Sequence, residues 1–302
     1  MSTAGLRRLE RAPAKEQAAP ATRRKRPSFL RRFARNRVAV LAAAFLLLAI
    51  LGAIFAPAIA RFPPERILGT RLAPPSERFL LGTDQSGRDV LARLLFGGQI
   101  SLLVGFLAAG LSIVLGASLG AIAGYARGWA DAVIMRIADG MLSIPIFFLV
   151  LVVLASFGST LPNLVVTIGL ASWMTTARVV RGEVLRAGTL DFVLAARALG
   201  ASGARVLLRH ALPQALPSTI VAATLGVAQA ILTESALSYL GLGVQPPTPS
   251  WGNMLSDAQS YVFSAPLLAL WPGLAILLTV LSFNFLGESL RDALDPFRGT
   301  QR

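Results

Sequence analysis

The sequence predicts an all-α integral membrane protein with six transmembrane helices. Three observations carry that prediction. Of 302 residues, 54% are apolar and 15% charged, against about 25% charged in a typical soluble domain. The charge is gathered in blocks separated by long uncharged runs. The Lys/Arg content of the loops also alternates from run to run, as it does when successive loops face opposite sides of a bilayer.

Residues 1–37 carry twelve Lys/Arg and two Glu among Ala and Pro, the composition of a basic, cytoplasmic tail without a core of its own. Val38–Ala60 holds no charge, and its length of about 34 Å exceeds a hydrocarbon core of about 30 Å. Ala58-Ile59-Ala60 imitates a signal-peptidase site, but the run is longer than a signal h-region of about 7–15 residues. It reads as a retained anchor, and Arg31-Arg32 reads as flanking positive charge. Residues 38–98 thus form a first span and an extracytoplasmic segment, the latter with six Arg and four acids. Residues 99–302 form the main membrane domain. Its spans are Gln99–Gly124, 141–156, 162–178, Pro217–Tyr239 and Leu267–Gly287. The division of the uncharged run 140–177 rests on Pro145, Pro162 and the turn sequence "SFGSTLPN".

Counted along the chain, the tail has twelve Lys/Arg, 125–139 two, 178–209 six, and the C-terminus three (Arg291, Arg298, Arg302). The stretches 157–162 and 241–266 have none. Both termini are therefore expected in the cytoplasm.

Composition also excludes chemistry. With no cysteine there is no disulfide, thiolate metal site or cysteine nucleophile. With one histidine, His210, there is no His-rich metal cage. The two lysines, Lys15 and Lys25, lie in the tail, so no phosphate loop of the G-x-x-x-x-G-K-[ST] type exists. The chain is not expected to be an enzyme, to hold a metal or to carry a cofactor.

The stretch "LAARALGASGARVLLRHALP" (Leu194–Pro213) reads as helix, turn, helix. Phe192, Ala195, Ala196 and Leu199 fall on one stripe of a first helix. Gly200 stands at its C′ position, where left-handed backbone suits glycine, and Ser202 is placed to cap a second helix. Val206, Leu207, His210 and Ala211 make the stripe of that second helix, with Arg205 and Arg209 on the opposite side at i, i+4. Pro213 and Pro217 are expected to stop it before the next span. A DNA-reading helix-turn-helix has a free recognition helix, whereas here both flanks are spans, so no nucleic acid is expected. A solvated connector and a docking knob for a cytoplasmic protein remain.

Two segments on the outer side could also meet a partner. In Gly82–Asp89, Thr83 or Asp84 is placed to cap a short helix with Val90, Leu91, Leu94 and Leu95 at the interface. Arg88 and Asp89 could contact an external protein or pair with each other. "QPPTPSWGNM" is stiffened by three prolines, with Trp251 expected at headgroup level. Glu234 is the ionisable residue placed within a span, about 25 Å from Pro217 along the helix. It either bonds to helix ends or outer arginines, or lines a translocation path and meets a substrate amine.

The Leu194–Pro213 stretch resembles the "EAA" loop of ABC-importer permeases, E-A-A-x₃-G-x₉-I-x-L-P, with Ala195, Ala196, Gly200, Leu212 and Pro213 in register. Leu194 stands where that family has Glu, and His210 where it has Ile, which leaves Arg197 or Arg181 without an evident partner. "LGTDQSGRDVLARLLFGGQISL", "ALSYLGLGVQPPTPSWGNML" and "WPGLAILLTVLSFNFLGESLRDALDP" are similar to the dipeptide/oligopeptide/nickel branch, in its second, C-type subunit. The resemblance implies a type I ABC-importer permease fold in the bacterial inner membrane, surrounded by lipid. It further implies a homologous permease partner, two cytoplasmic ATPase subunits that use ATP and Mg²⁺, and an extracytoplasmic substrate-binding protein. The ATPases would dock on the loop near 186–217, and the binding protein near Asp84, Arg88, Asp89 and Trp251. Di- or oligopeptides are the expected cargo, with a chelated nickel or another small solute as alternative. An ion-driven carrier is the reading from a different class.

Overall fold

The computed structural model of the chain describes residues 36–294, so the basic tail, Arg298 and Arg302 lie outside the described residues. Asn36 opens the first helix, α1 (Arg37–Ile54): its Oδ1 accepts from the Val38 and Ala39 amides at 3.1 and 3.3 Å. Its Nδ2 donates to Ser289 Oγ at 3.0 Å, tying the two ends of the chain together. Ala39, Ala42, Leu46 and Ala53 are buried along one stripe, while Leu41, Leu47, Leu48 and Ile54 stay exposed. A face of that kind on an isolated chain is what lipid covers. The expected span Val38–Ala60 is broken at Phe55, after which Pro57 starts a single turn, α2 (Ala56–Ile59).

The helix expected to start from a cap at Thr83 or Asp84 and to carry Val90–Leu95 starts later, at Val90. Asp84 Oδ1 instead accepts from the Ser86 and Arg88 amides at 2.8 and 2.9 Å, a side-chain turn that competes with helix. The cap belongs to Asp89, whose Oδ2 accepts from the Ala92 amide at 3.2 Å. Helix α3 then runs unbroken over 37 residues, Val90–Ala126, and takes in the interface positions Val90, Leu91, Leu94 and Leu95.

The uncharged run after it also divides differently from expectation. Helix α4 (Gly128–Leu142) ends before Pro145, and α5 (Ile146–Phe157) leaves at 84° to it. Proline has no N–H to donate and disfavours helical backbone in the residue before it, so one helix over 141–156 is replaced by a bend. Helices α6 (Leu161–Leu170) and α7 (Trp173–Ala187) form the next span and carry it to 187 rather than 178.

Next come α8 (Asp191–Ala198), α9 (Gly203–Val206), a π-helical turn (Leu207–Ala211) and α10 (Leu212–Tyr239). The prolines do not stop this helix: Gly203–Tyr239 is one apolar helical run. Pro213 lies two residues past the π turn, whose wider spacing relieves the clash a proline ring makes with the carbonyl four residues back. The chain closes with α11 (Trp251–Ala258), capped reciprocally by Ser250 and Asn253, and α12 (Leu267–Leu294).

Among the described residues five helices are long and apolar enough to cross a bilayer, and six if the bent α4–α5 pair is one span. The bundle is built around α3, which is lined with small residues where α7 and α10 cross it. A Cβ on Gly116 would lie 2.6 Å from Thr176 Cβ and from the Trp173 carbonyl, and one on Gly124 would lie 2.8 Å from the Arg181 carbonyl. Close backbone approach of this kind is how membrane helices gain packing without a hydrophobic driving force.

Candidate functional site

Between α3, α7, α10 and the α4–α5 bend lies a cavity of about 1200 Å³. Its far end is walled by Ala108, Ala109, Gln229 and Ala230, and its near end by Glu183, Arg186, Gln214 and Arg291. Ser112, Thr175, Thr176 and Ser218 place hydroxyls on an otherwise apolar wall. At the near end Glu183 accepts from Arg186 at 2.9 Å and from Ser218 Oγ at 2.7 Å. None of these residues was singled out from sequence. A lone Gln or Thr on a membrane helix has no spacing signature, and what marks these is that four separate elements converge.

The Leu194–Pro213 loop sits beside that near end. Helix α8 stops in a Schellman arrangement: the Gly200 amide donates to the Arg197 carbonyl at 3.0 Å and the Ala201 amide to that of Ala196 at 3.1 Å. Gly200 has φ +80°, the left-handed conformation the sequence predicts. Ser202 occupies the N-cap position of α9, but its side chain makes no capping bond. The α8 stripe is not the buried one: Val193 is buried, while Phe192, Leu194 and Leu199 are 47, 48 and 88% exposed. Ala195 is exposed with them and Ala196 half-buried. On the following turn Val206 and Ala211 are buried, with Leu207 and His210 half-buried. Arg205, Arg209 and Pro213 face outward and Leu212 is half-buried.

Neither arginine of this region lacks a partner. Arg181 grips Asp131 of α4 with two bonds, Nε–Oδ1 at 2.5 Å and Nη2–Oδ2 at 2.6 Å. Arg197 lies over the Tyr125 ring, 5.6 Å from its centroid. A second pair, Arg178–Asp139, also joins α7 to α4. The charge missing at Leu194 is thus supplied to α7 from α4.

At the opposite end Asp84, Asp89 and Trp251 are buried at 5% exposure or less, and Trp251 turns inward. Its indole N–H donates to the Leu94 carbonyl at 3.0 Å. Arg88 pairs with Asp84 and Asp257, not with Asp89. Arg93 joins the same two carboxylates at 2.6 and 2.9 Å. This four-membered network binds the outer segment to α11. Burial pushes the Asp84 carboxyl up, but the Arg88 amide and the charges of Arg93 and Arg88 outweigh it and hold it below the ordinary 3.8. Burial acts on Asp89 too, and there it prevails over the Ala92 and Leu91 amides and raises the carboxyl.

A carboxyl held below its unfolded value adds stability above that value and loses it as pH falls through the folded one. The Asp84 contribution to thermal stability is therefore expected to hold between about pH 7 and about pH 5 and to be lost below about pH 4, while the raised Asp89 carboxyl acts with the opposite sign. Asp84→Asn should remove that acid limb and cost about 2 kcal/mol at neutral pH, since Asp257 still offers the arginines one carboxylate. An unchanged acid limb in the variant would assign it to another group.

Glu234 lines no part of the cavity. It is fully buried and accepts from Ser101, Ser235 and Ser238 hydroxyls at 3.0, 3.3 and 2.7 Å. No arginine reaches it in the ion pairs of the described residues, and its partners are serine hydroxyls within α3 and α10 instead of helix ends or outer arginines.

Comparison with known proteins agrees with this architecture. The family described as "Binding-protein-dependent transport system inner membrane component" matches residues 112–299, and "N-terminal TM domain of oligopeptide transport permease C" matches 28–75. The chain is 43% identical over 270 residues to the glutathione transport system permease protein GsiD of Pectobacterium atrosepticum, covering 89% of this chain and 90% of that one. It is 42% identical over 275 residues to the di/tripeptide transport system permease protein DppC of Pseudomonas aeruginosa, with 89% and 91% covered. A dipeptide transport system permease protein DppC from Alkalihalophilus pseudofirmus is 41% identical over 263 residues, with 87% and 86% covered. Among solved structures, an inward-facing MetNI methionine ABC transporter superposes with a TM-score of 0.55 at 20% identity, over 67% of this chain and 97% of that one. An amino acid ABC transporter gives 0.52 at 17% identity, with 67% and 94% covered. These two show the fold alone. With the helices, the loop and the relatives in agreement over nearly nine-tenths of its length, the chain belongs to the inner-membrane permeases of binding-protein-dependent ABC transport systems.

Proposed function

We propose that the chain is the C-type permease subunit of an importer for di- and oligopeptides. The cavity beside the Leu194–Pro213 loop carries this reading, because it joins the translocation space to a surface that no other described part of the chain covers. A homologous permease would supply the other wall. Two cytoplasmic ATPase subunits, which would use ATP and Mg²⁺, would engage Phe192, Leu194, Leu199, Arg205 and Arg209. The described part of the chain offers no group of acids or histidines fit to hold a metal. Both termini and the α8 end would face the cytoplasm, as the loop charges require.

The peptide assignment is supported by the relatives' names and by the wall chemistry. Hydroxyls and side-chain amides on an apolar surface match the donors and acceptors of a peptide backbone without selecting one side chain. Cargo selection would then rest largely with an extracytoplasmic binding protein delivering to the outer end, where Arg88 and the rim of the Asp84–Asp257 network lie. Transport would proceed by alternating access, with rigid-body movement of helices around the cavity. The test is uptake of labelled di- and tripeptides into liposomes holding both permeases and both ATPases. Uptake requiring ATP and the binding protein is expected. Uptake driven by an ion gradient without ATPases would overturn the reading.

A further inference from the structure

The serine cage around Glu234 does more than satisfy a buried carboxyl. Ser101 Oγ also accepts from the Trp251 amide at 3.2 Å, and Ser238 Oγ from the Val244 amide at 2.9 Å. A backbone N–H can only donate, and a serine hydroxyl has one proton. An ionised Glu234 only accepts, so each hydroxyl that accepts from the backbone sends its proton to it. Ser101 delivers to Oε2 and Ser238 to Oε1, so both carboxyl oxygens have to accept. The segment that carries these amides packs closely on both helices. A Cβ on Gly252 would lie 2.6 Å from the Ser235 carbonyl, and one on Gly98 would lie 3.1 Å from the Trp251 ring.

We propose that Glu234 is a positioning residue that holds the Val244–Ala258 segment closed on the outer end of α3 and α10 while the cavity opens at the other end. Ala230, one helical turn below Glu234, lines the cavity, so the cage lies directly beyond its roof. Glutamine is not a conservative replacement here. Its amide nitrogen donates and cannot accept, so at that oxygen's place one buried serine proton loses its acceptor. This inference rests on the permease reading above.

The chain has no cysteine, so Ala230→Cys gives a single reporter thiol once the partner subunits are made cysteine-free. The assembled transporter, with both permeases and both ATPases, is placed in liposomes without nucleotide, and a membrane-impermeant thiol reagent is added from the outer side. Labelling is expected to be slow with Glu234 intact and roughly tenfold faster with Glu234→Gln. Ser101→Ala should move it the same way, and the double change should be less than additive. A merely structural role would lower the unfolding temperature and leave outer labelling slow, and that result overturns the proposal. If Glu234→Gln does not assemble, Ser101→Ala and Ser238→Ala decide, and unchanged labelling in both overturns it as well. Failure of the permease reading shows separately. In that case the reporter with Glu234 intact would not change accessibility when the ATPases are trapped with ATP.

Discussion

Gly120→Leu is expected to prevent the bundle from assembling. A Cβ at this position would lie 2.9 Å from Ala177 Cα and 3.0 Å from its carbonyl carbon, and backbone cannot swing aside as a side-chain end can. Helices α3 and α7 would have to separate by the width of a methyl group or more, and the contacts at Gly116 and Gly124 would part with them. Overpacking costs about 1–3 kcal/mol where side chains can yield, and at least about 3 kcal/mol is expected here. The measurement is the yield of monodisperse protein after detergent extraction, with thermal unfolding of whatever survives. Gly110 supplies the control on the same helix: nothing lies within 4 Å of its added Cβ. Gly110→Ala should be neutral or stabilise by up to about 1 kcal/mol through helix propensity. Equal losses from Gly120→Leu and Gly110→Leu would show that α3 has no privileged face.

Gly200→Val should separate transport from folding. Its added Cβ also meets open space, so the cost is conformational: a β-branched residue at φ +80° is strongly disfavoured. The chain escapes by unwinding the Schellman turn, which re-aims α8 and its exposed Phe192, Leu194 and Leu199. Because that face is exposed and its Phe192 meets His210 within the same loop, membrane insertion and the bundle's thermal stability should change little. Peptide uptake and stimulation of the ATPases should both fall to background. Normal transport by a stably inserted Gly200→Val protein would sink the coupling assignment.

What could be read from sequence followed the reach of each signal. The spans were legible because hydrophobicity over twenty residues is a sum, insensitive to any single position. The turn at Gly200 was legible because few residues accept its backbone. The ends of the spans were not. Whether Asp84 caps a helix or closes a turn depends on which neighbour it binds, and whether Pro213 stops a helix depends on a π turn that has no composition of its own. Partners across space were the least visible. Arg181 could be seen to need an anion, but Asp131 lies fifty positions earlier and resembles any loop acid until α4 folds beneath α7. Glu234 was found from its place within a span, while the direction of its hydrogen bonds emerged only once Ser101 and the Val244 and Trp251 amides stood around it.

The π turn at Leu207–Ala211 has a mechanical consequence. Because the helix survives Pro213 and Pro217, the arginine-bearing end and the buried Glu234 belong to one strut, not to a loop and a separate span. Its compliant joint is at the foot, where two prolines remove two backbone bonds. Above it, from Ser218 to Tyr239, about 33 Å of helix moves as a lever. Swinging that lever by about 5° about its foot displaces the far end by roughly 3 Å, comparable to the length of a hydrogen bond. A small push at the foot is thereby geared into a displacement large enough to break contacts at the opposite face of the membrane.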